Sequence, residues 1–137
     1  MRRVLFDTNV VLDLLLRREP HFAASAAALD TLARGEVEGY IAGHAITTVA
    51  YLLQRQLGAA GSKAVLADLL AHLSVAPITD GVVRHALGSA VRDFEDAVCE
   101  AATSEAGAEV IVTRNVADFA GSHVPAVLPE AYVAGYT

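Results

Sequence analysis

The chain has 137 residues and a net charge of −6, from sixteen Asp plus Glu against ten Lys plus Arg. Its hydrophobic fraction of 54% and charged fraction of 19% exclude disorder, and its length suits a single compact domain over residues 1–137. One cysteine, Cys99, excludes an internal disulfide framework and a multi-cysteine zinc site, while the acidic balance argues against a broad basic face for nucleic acid.

The N-terminal residues begin basic and continue apolar, as a signal peptide would. Asp7, Asn9 and Asp13 interrupt that run, and nowhere does the chain reach the ~18 uncharged apolar residues of a membrane span. The expectation is a cytoplasmic protein without a membrane partner, its Cys99 reduced. Residues 3–6 form a short apolar run that ends at Asp7 and predict a buried strand. Thr8 or Asn9 can cap the helix that follows, which carries Val10, Val11, Leu14 and Leu15. Pro20 breaks that helix, and residues 21–34 predict a second, ended by Gly35. Residues 37–42 read as a strand. Residues 45–57 and 62–73 read as two helices separated at Gly58, the latter with Val65, Leu66, Leu69, Leu70 and Leu73 at helical spacing. Residues 74–78 predict a strand, and residues 80–92 and 94–106 two more helices. The strongest strand is 109–113, followed by a loop over 114–122, a short strand over 126–128 and a helix started by Pro129.

Strands alternating with helices imply an α/β fold with a central, mostly parallel sheet and helices on both faces. Ligands of such sheets sit beyond the carboxyl ends of the strands. Asp7 follows the first strand. Asn115 and Asp118 follow the strongest one. Asp93, Glu95 and Asp96 open the helix leading into it. If the two strands are neighbours, these groups converge at one sheet edge. Gathered carboxylates repel each other, and a hard divalent cation such as Mg²⁺ or Mn²⁺ relieves the repulsion. Phosphodiester hydrolysis is the chemistry that commonly uses such a site. Each acid also has a simpler explanation: Asp7 and Asp93 suit helix N-caps, Asp118 a turn, and Asp13 a solvated helix face.

At these residues a resemblance appears. DTNVVLDLLL from Asp7, DFEDAVCEAAT from Asp93 and VTRNVADF from Val112 resemble the PIN-domain family, and more closely its VapC-type toxin ribonucleases from bacterial toxin–antitoxin pairs. The resemblance spans essentially the whole chain. It implies a three-layer α/β/α fold and Mg²⁺- or Mn²⁺-dependent endonucleolytic cleavage of RNA. It places the first catalytic acid on Asp7 and the later helix-borne acid on Asp96. The group expected in the loop after the strong strand is split between Asn115 and Asp118. Thr8 and Asn9 fall where support or substrate contact is implied. The implied partners are an RNA substrate and a small cognate antitoxin seated on apolar grooves among the early helices. A homodimer is implied as well, with the helix over 65–73 as one contributor.

One departure stands out. Most members carry a glutamate early in the third helix, and here 45–57 has no acid; Tyr51 or Ala50 stands about where it would be. Asp93, one turn before Asp96, can compensate from the same helix face. A branch of the family shares this pattern. The missing acid motivates a competing expectation, a catalytically weak PIN-fold module acting through RNA or protein contacts. Phosphoryl-transfer chemistry on a similar sheet ranks third, because Asn9 stands where a second acid would be needed and the only lysine, Lys63, starts a helix. No two of the five histidines have metal-ligand spacing, although His44 lies near the expected site. Nine of the ten basic residues are arginines; Arg114 is the candidate for holding an RNA phosphate, with Arg17, Arg18 and Arg55 lining an approach.

Overall fold

A computed structural model describes residues 1–135. Five strands, β1 (Arg3–Phe6), β2 (Glu38–Ala42), β3 (Leu73–Ala76), β4 (Val110–Val112) and β5 (Ala126–Val127), form one sheet in the order β3-β2-β1-β4-β5. Every pairing is parallel, so the sheet is wholly rather than mostly parallel. The helices are α1 (Thr8–Leu15), α2 (Phe22–Ala33), α3 (Gly43–Leu70), α4 (Asp80–Ala86), α5 (Phe94–Glu105) and α6 (Pro129–Val133), with a 3₁₀ turn at Val116–Phe119. Contacts join α1, α2, α3 and α6 into one layer and α4 and α5 into the other. This is the three-layer α/β/α arrangement.

The central strands are apolar on both faces because helices cover both. Val4, Leu5 and Phe6 of β1 and Val110, Ile111 and Val112 of β4 are fully buried. Phe6 meets the ring of Tyr132 edge-on at 5.9 Å, and the Tyr132 hydroxyl lies 2.9 Å from Thr31 Oγ1, which ties α6 to α2.

Gly58 divides α3, at φ 73°, where a side chain would be strained. Ser62 Oγ donates to the Ala50 carbonyl at 3.3 Å. Twelve residues of straight helix would separate those positions by ~18 Å, so the second half folds back along the first. The expected division at Gly58 is present, but helix resumes immediately and ends at Leu70. Leu73 belongs to β3. Val65, Leu66 and Leu69 pack on or in the core and Leu70 is exposed, so most of that apolar face is consumed inside the fold. The expected helix over 80–92 stops at Ala86, leaving residues 87–93 as a loop that Ser89 and Asp93 organise through side-chain hydrogen bonds. Among the described residues no helix is long and apolar enough to cross a membrane.

Strand order reverses between β1 and β4: the chain leaves β1 toward β2 on one side and reaches β4 on the other. Open parallel sheets bind ligands beyond the strand ends at such a switch point.

Candidate active site

β1 and β4 are in register from Val4 to Phe6, with Phe6 opposite Val112, and the Asp7 N–H donates to the Val112 carbonyl at 2.9 Å. Asp7 and Thr113 therefore leave the sheet side by side. Asp7, rather than Thr8 or Asn9, is the N-cap of α1. Its Oδ1 accepts the Thr8 N–H at 2.8 Å. Its Oδ2 accepts the Thr113 hydroxyl at 2.8 Å and the Asn9 amide at 3.4 Å. Capping and site-building are thus one arrangement, because the cap fixes the carboxylate at the sheet edge.

Burial pushes the Asp7 carboxyl above the ordinary carboxylate range; Thr113 and the Thr8 N–H oppose that, Glu95 reinforces it and His44 opposes it. Asp96 responds more strongly. Its carboxyl is pushed up to about 7, first by burial and then by the charges of Asp7, Asp93, Asp118 and Glu95. The five acids therefore share one electrostatic field, although the chain brings them from three separate stretches.

Two adjoining spaces hold these groups. A slot of about 10 Å³, room for one water-sized occupant, is bordered by Asp7, Thr8, His44, Glu95, Asp96 and Cys99. An open cleft of about 810 Å³ is walled by Arg92 and Asp93 on one side and Ala117, Asp118 and Ala120 on the other. Glu95 and Asp96 line both spaces. Asp93 is the N-cap of α5, its Oδ2 accepting the Asp96 N–H at 3.1 Å, and it is exposed to the cleft. Asn115 and Asp118 are both exposed, and Asp118 is held in the 3₁₀ turn by its N–H to the Asn115 carbonyl. Cys99 is buried, and burial pushes its thiol well up, so it stays protonated.

Two sequence expectations change here. Asp13 is not on a solvated face: it is fully buried, because α1 packs against α2 on that side. Its carboxylate receives Arg114 through Nε at 2.7 Å and Nη2 at 3.1 Å, and the Ser25 hydroxyl at 2.9 Å. Arg114 was expected to hold a phosphate; its guanidinium is instead taken up by this bidentate pair. The Arg114 N–H donates to Asn9 Oδ1 at 3.1 Å, so Asn9 and Arg114 fasten the β4 loop to α1. Arg92 is the cationic residue that lines the open cleft, and no acid lies within ion-pair distance of it among the described residues.

The third helix reaches the slot through His44, not Tyr51, whose side chain is 62% exposed. His44 Nε2 is 3.2 Å from the Glu95 carbonyl oxygen, and its Nδ1 is buried without a partner among the described residues. The sequence places Glu95 in the acidic group that opens α5 but gives it no role of its own, and it does not single out Thr113. Glu95 was legible as the middle acid of the DFED stretch, and Thr113 as the polar residue ending the strongest strand.

The donor chemistry is that of a hard cation. Among the described residues no three His, Cys, Asp or Glu side chains form a ready cage. Mg²⁺ is commonly held by one or two carboxylates with water completing its shell, and Asp7 with Asp96 beside a water-sized slot fits that mode.

Residues 3–117 match the PIN domain family. No curated relative matches the chain in sequence. Among solved structures, the chain resembles VapBC2 of Rickettsia felis, bound to a DNA fragment from their promoter, at 12% identity and TM-score 0.68, covering 92% of this chain and 98% of that one. It resembles DNA-bound VapBC of Salmonella typhimurium at 16% identity and TM-score 0.67, covering 94% and 99%. It also resembles Mycobacterium tuberculosis VapC20, a sarcin-ricin loop cleaving toxin, at 16% identity and TM-score 0.61, covering 98% and 96%. At these identities the likeness is one of fold.

Proposed function

This chain belongs to the PIN domain family, and on that premise we propose that it is a Mg²⁺- or Mn²⁺-dependent endoribonuclease, the toxin of a type II toxin–antitoxin pair. The observation that carries the reading is the gathering of Asp7, Glu95 and Asp96 at the slot with Asp93 and Asp118 on the adjoining cleft, where burial first and then the charges of the other four acids raise the Asp96 carboxyl to about 7. Keeping so many acids together at a sheet edge is costly unless positive charge joins them.

Asp7 and Asp96 would hold the cation, with Asp93 as the further carboxylate nearby. When bound, it supplies the Lewis-acid charge that activates water and offsets charge on the phosphate. Thr113 and the Thr8 N–H hold the Asp7 carboxylate in one orientation, so no reorganisation is needed during reaction. Asp118, on the far wall of the cleft, takes up the proton released by the attacking water. Arg92 meets a substrate phosphate at the rim, with Thr8 at the slot and the exposed Asn115 on the loop after β4 flanking the path of the RNA. Arg114 and Asn9 act beneath them, by fixing the loop.

An apolar groove of about 520 Å³, bordered by Leu14, Leu15, Leu29, Leu32, Leu69 and Leu73, suits a segment of the cognate antitoxin. The resemblance to VapBC complexes supports that partner. The homodimer rests on the family resemblance alone.

The test is cleavage of RNA by purified protein with Mn²⁺, comparing the parent with Asp7→Asn. Cleavage by the parent and its loss in the folded variant is the expected result; undiminished cleavage by the variant overturns the mechanism. A second reading, a PIN-fold binding module with weak or no catalysis, is favoured by α3 contributing His44 instead of a carboxylate. Parent protein that binds RNA yet leaves it intact with Mn²⁺ present would establish that reading instead.

A further inference from the structure

Glu100 is a charged side chain that the mechanism above does not use. It lies on α5, one turn beyond Asp96, and is 5% exposed. Its Oε1 accepts the Ser89 hydroxyl at 2.6 Å, and its Oε2 accepts the His123 N–H at 2.6 Å. Ser89 Oγ in turn accepts the Val91 N–H at 3.0 Å, which shapes the turn into Arg92 and Asp93. Burial works against the Glu100 charge, but the hydrogen bonds of Ser89, the His123 N–H and Ser122, together with the His123 charge, outweigh it and hold the carboxyl below its usual range.

Ser89 and His123 belong to two loops far apart in sequence. The first carries Arg92 and Asp93, one wall of the cleft. The second follows Ala117, Asp118 and Ala120, the other wall. The loops also touch directly. Gly121 has φ 87°, and a Cβ there would lie 3.0 Å from Ala90 Cβ and 3.2 Å from the Ala90 carbonyl oxygen. One carboxylate thus grips both loops at the point where they meet, while the same helix supplies Glu95 and Asp96 between them.

We propose that Glu100 is a positioning residue, a clamp that sets the separation of the two cleft walls and hence the placement of Arg92, Asp93 and Asp118 around the substrate. Its effect on catalysis rests on the nuclease reading; its effect on the loops does not. The carboxylate suits this task because it offers two acceptors in a fixed fork, one for each loop. Buried charge makes the grip discriminating: once either donor leaves, the carboxylate loses solvation that water cannot easily replace.

The experiment pairs hydrogen exchange with kinetics on Glu100→Ala, Glu100→Gln and Ser89→Ala, each checked for folding by circular dichroism. Glu100→Ala is expected to speed exchange at least about tenfold in both 88–92 and 120–124, as loss of stabilising hydrogen bonds should. Glu100→Gln can still accept from the His123 N–H and donate to Ser89, and should return both segments toward the parent. Ser89→Ala should loosen 88–92 and leave 120–124 closer to the parent. In cleavage assays Glu100→Ala should lower kcat about 10- to 100-fold and raise the Mn²⁺ concentration for half-maximal rate, with Glu100→Gln largely rescuing both. A smaller folded fraction alone would lower the rate without moving the Mn²⁺ dependence. Unchanged exchange in either loop of Glu100→Ala overturns the clamp, whether or not the parent cleaves RNA. Parent-like kinetics in that variant, with an active parent, overturn its part in the site.

Discussion

Replacing Asp96 with Asn should make this protein more stable while removing its activity. The Asp96 carboxyl is raised from 3.8 to about 7, by burial first and then by Asp7, Asp93, Asp118 and Glu95. A folded-state pKa above the unfolded one means that the fold favours the protonated acid. The penalty is absent below about pH 4, grows as pH rises toward 7, and is complete above that. The difference between 3.8 and about 7, at ~1.36 kcal/mol for each tenfold change in proton affinity, sets a ceiling of ~4 kcal/mol. Asp96 opens onto the cleft, where water and salt screen its neighbours, so about 1–2 kcal/mol is the expected gain. Asn keeps the shape without the charge. Urea or thermal unfolding in EDTA at pH 8 should therefore show Asp96→Asn above the parent by that amount, roughly 4–8 °C in Tm. At pH 4 the two should coincide. Adding Mn²⁺ at pH 8 should stabilise the parent and close the gap, because a cation that binds only the folded state adds its binding free energy. A variant no more stable than the parent at pH 8 in EDTA would refute the claim that these acids repel one another across the site.

Two further outcomes follow from named contacts. Arg114→Ala strands the fully buried Asp13 with Ser25 as its remaining side-chain partner among the described residues, and should cost about 3–5 kcal/mol in urea unfolding; the double change Asp13→Leu with Arg114→Met should cost less, because it removes the buried charge as well as its partner. Arg92→Gln should raise KM for RNA with little change in kcat, and should reduce the slope of log affinity against log salt by about one, because a single phosphate contact is lost.

The helical spacing of apolar residues, the breaks at Pro20 and Gly58, and the apolar runs at β1 and β4 are legible because they report local geometry. Helix boundaries were less so. The expected helix over 80–92 ends at Ala86 because the following loop is held by Ser89 on Glu100, a partner on another element. The 3₁₀ turn at Val116–Phe119 falls within the stretch whose sequence predicts only loop, since four residues carry no periodicity. Arg114 and Asp13 were misread together. Each alone looks like a surface charge, and only the packing of α1 against α2, with β4 beside β1, buries the acid and brings the guanidinium to it.

By itself, then, the sequence determined the family, the alternation of strands and helices, and the positions of Asp7, Asp93, Asp96 and Asp118 at element ends. Those features follow from residue type and short-range order. The tertiary structure decided which of them meet. Neighbouring β1 and β4 bring Thr113 to Asp7, and the crossover through α5 adds Asp96 and Glu95 to the same field. It also separated a charge that faces the cleft, Arg92, from one locked beneath it, Arg114. The physical reason is that Coulomb interactions and desolvation depend on distance and burial in space, and neither quantity is written in the spacing of residues along the chain.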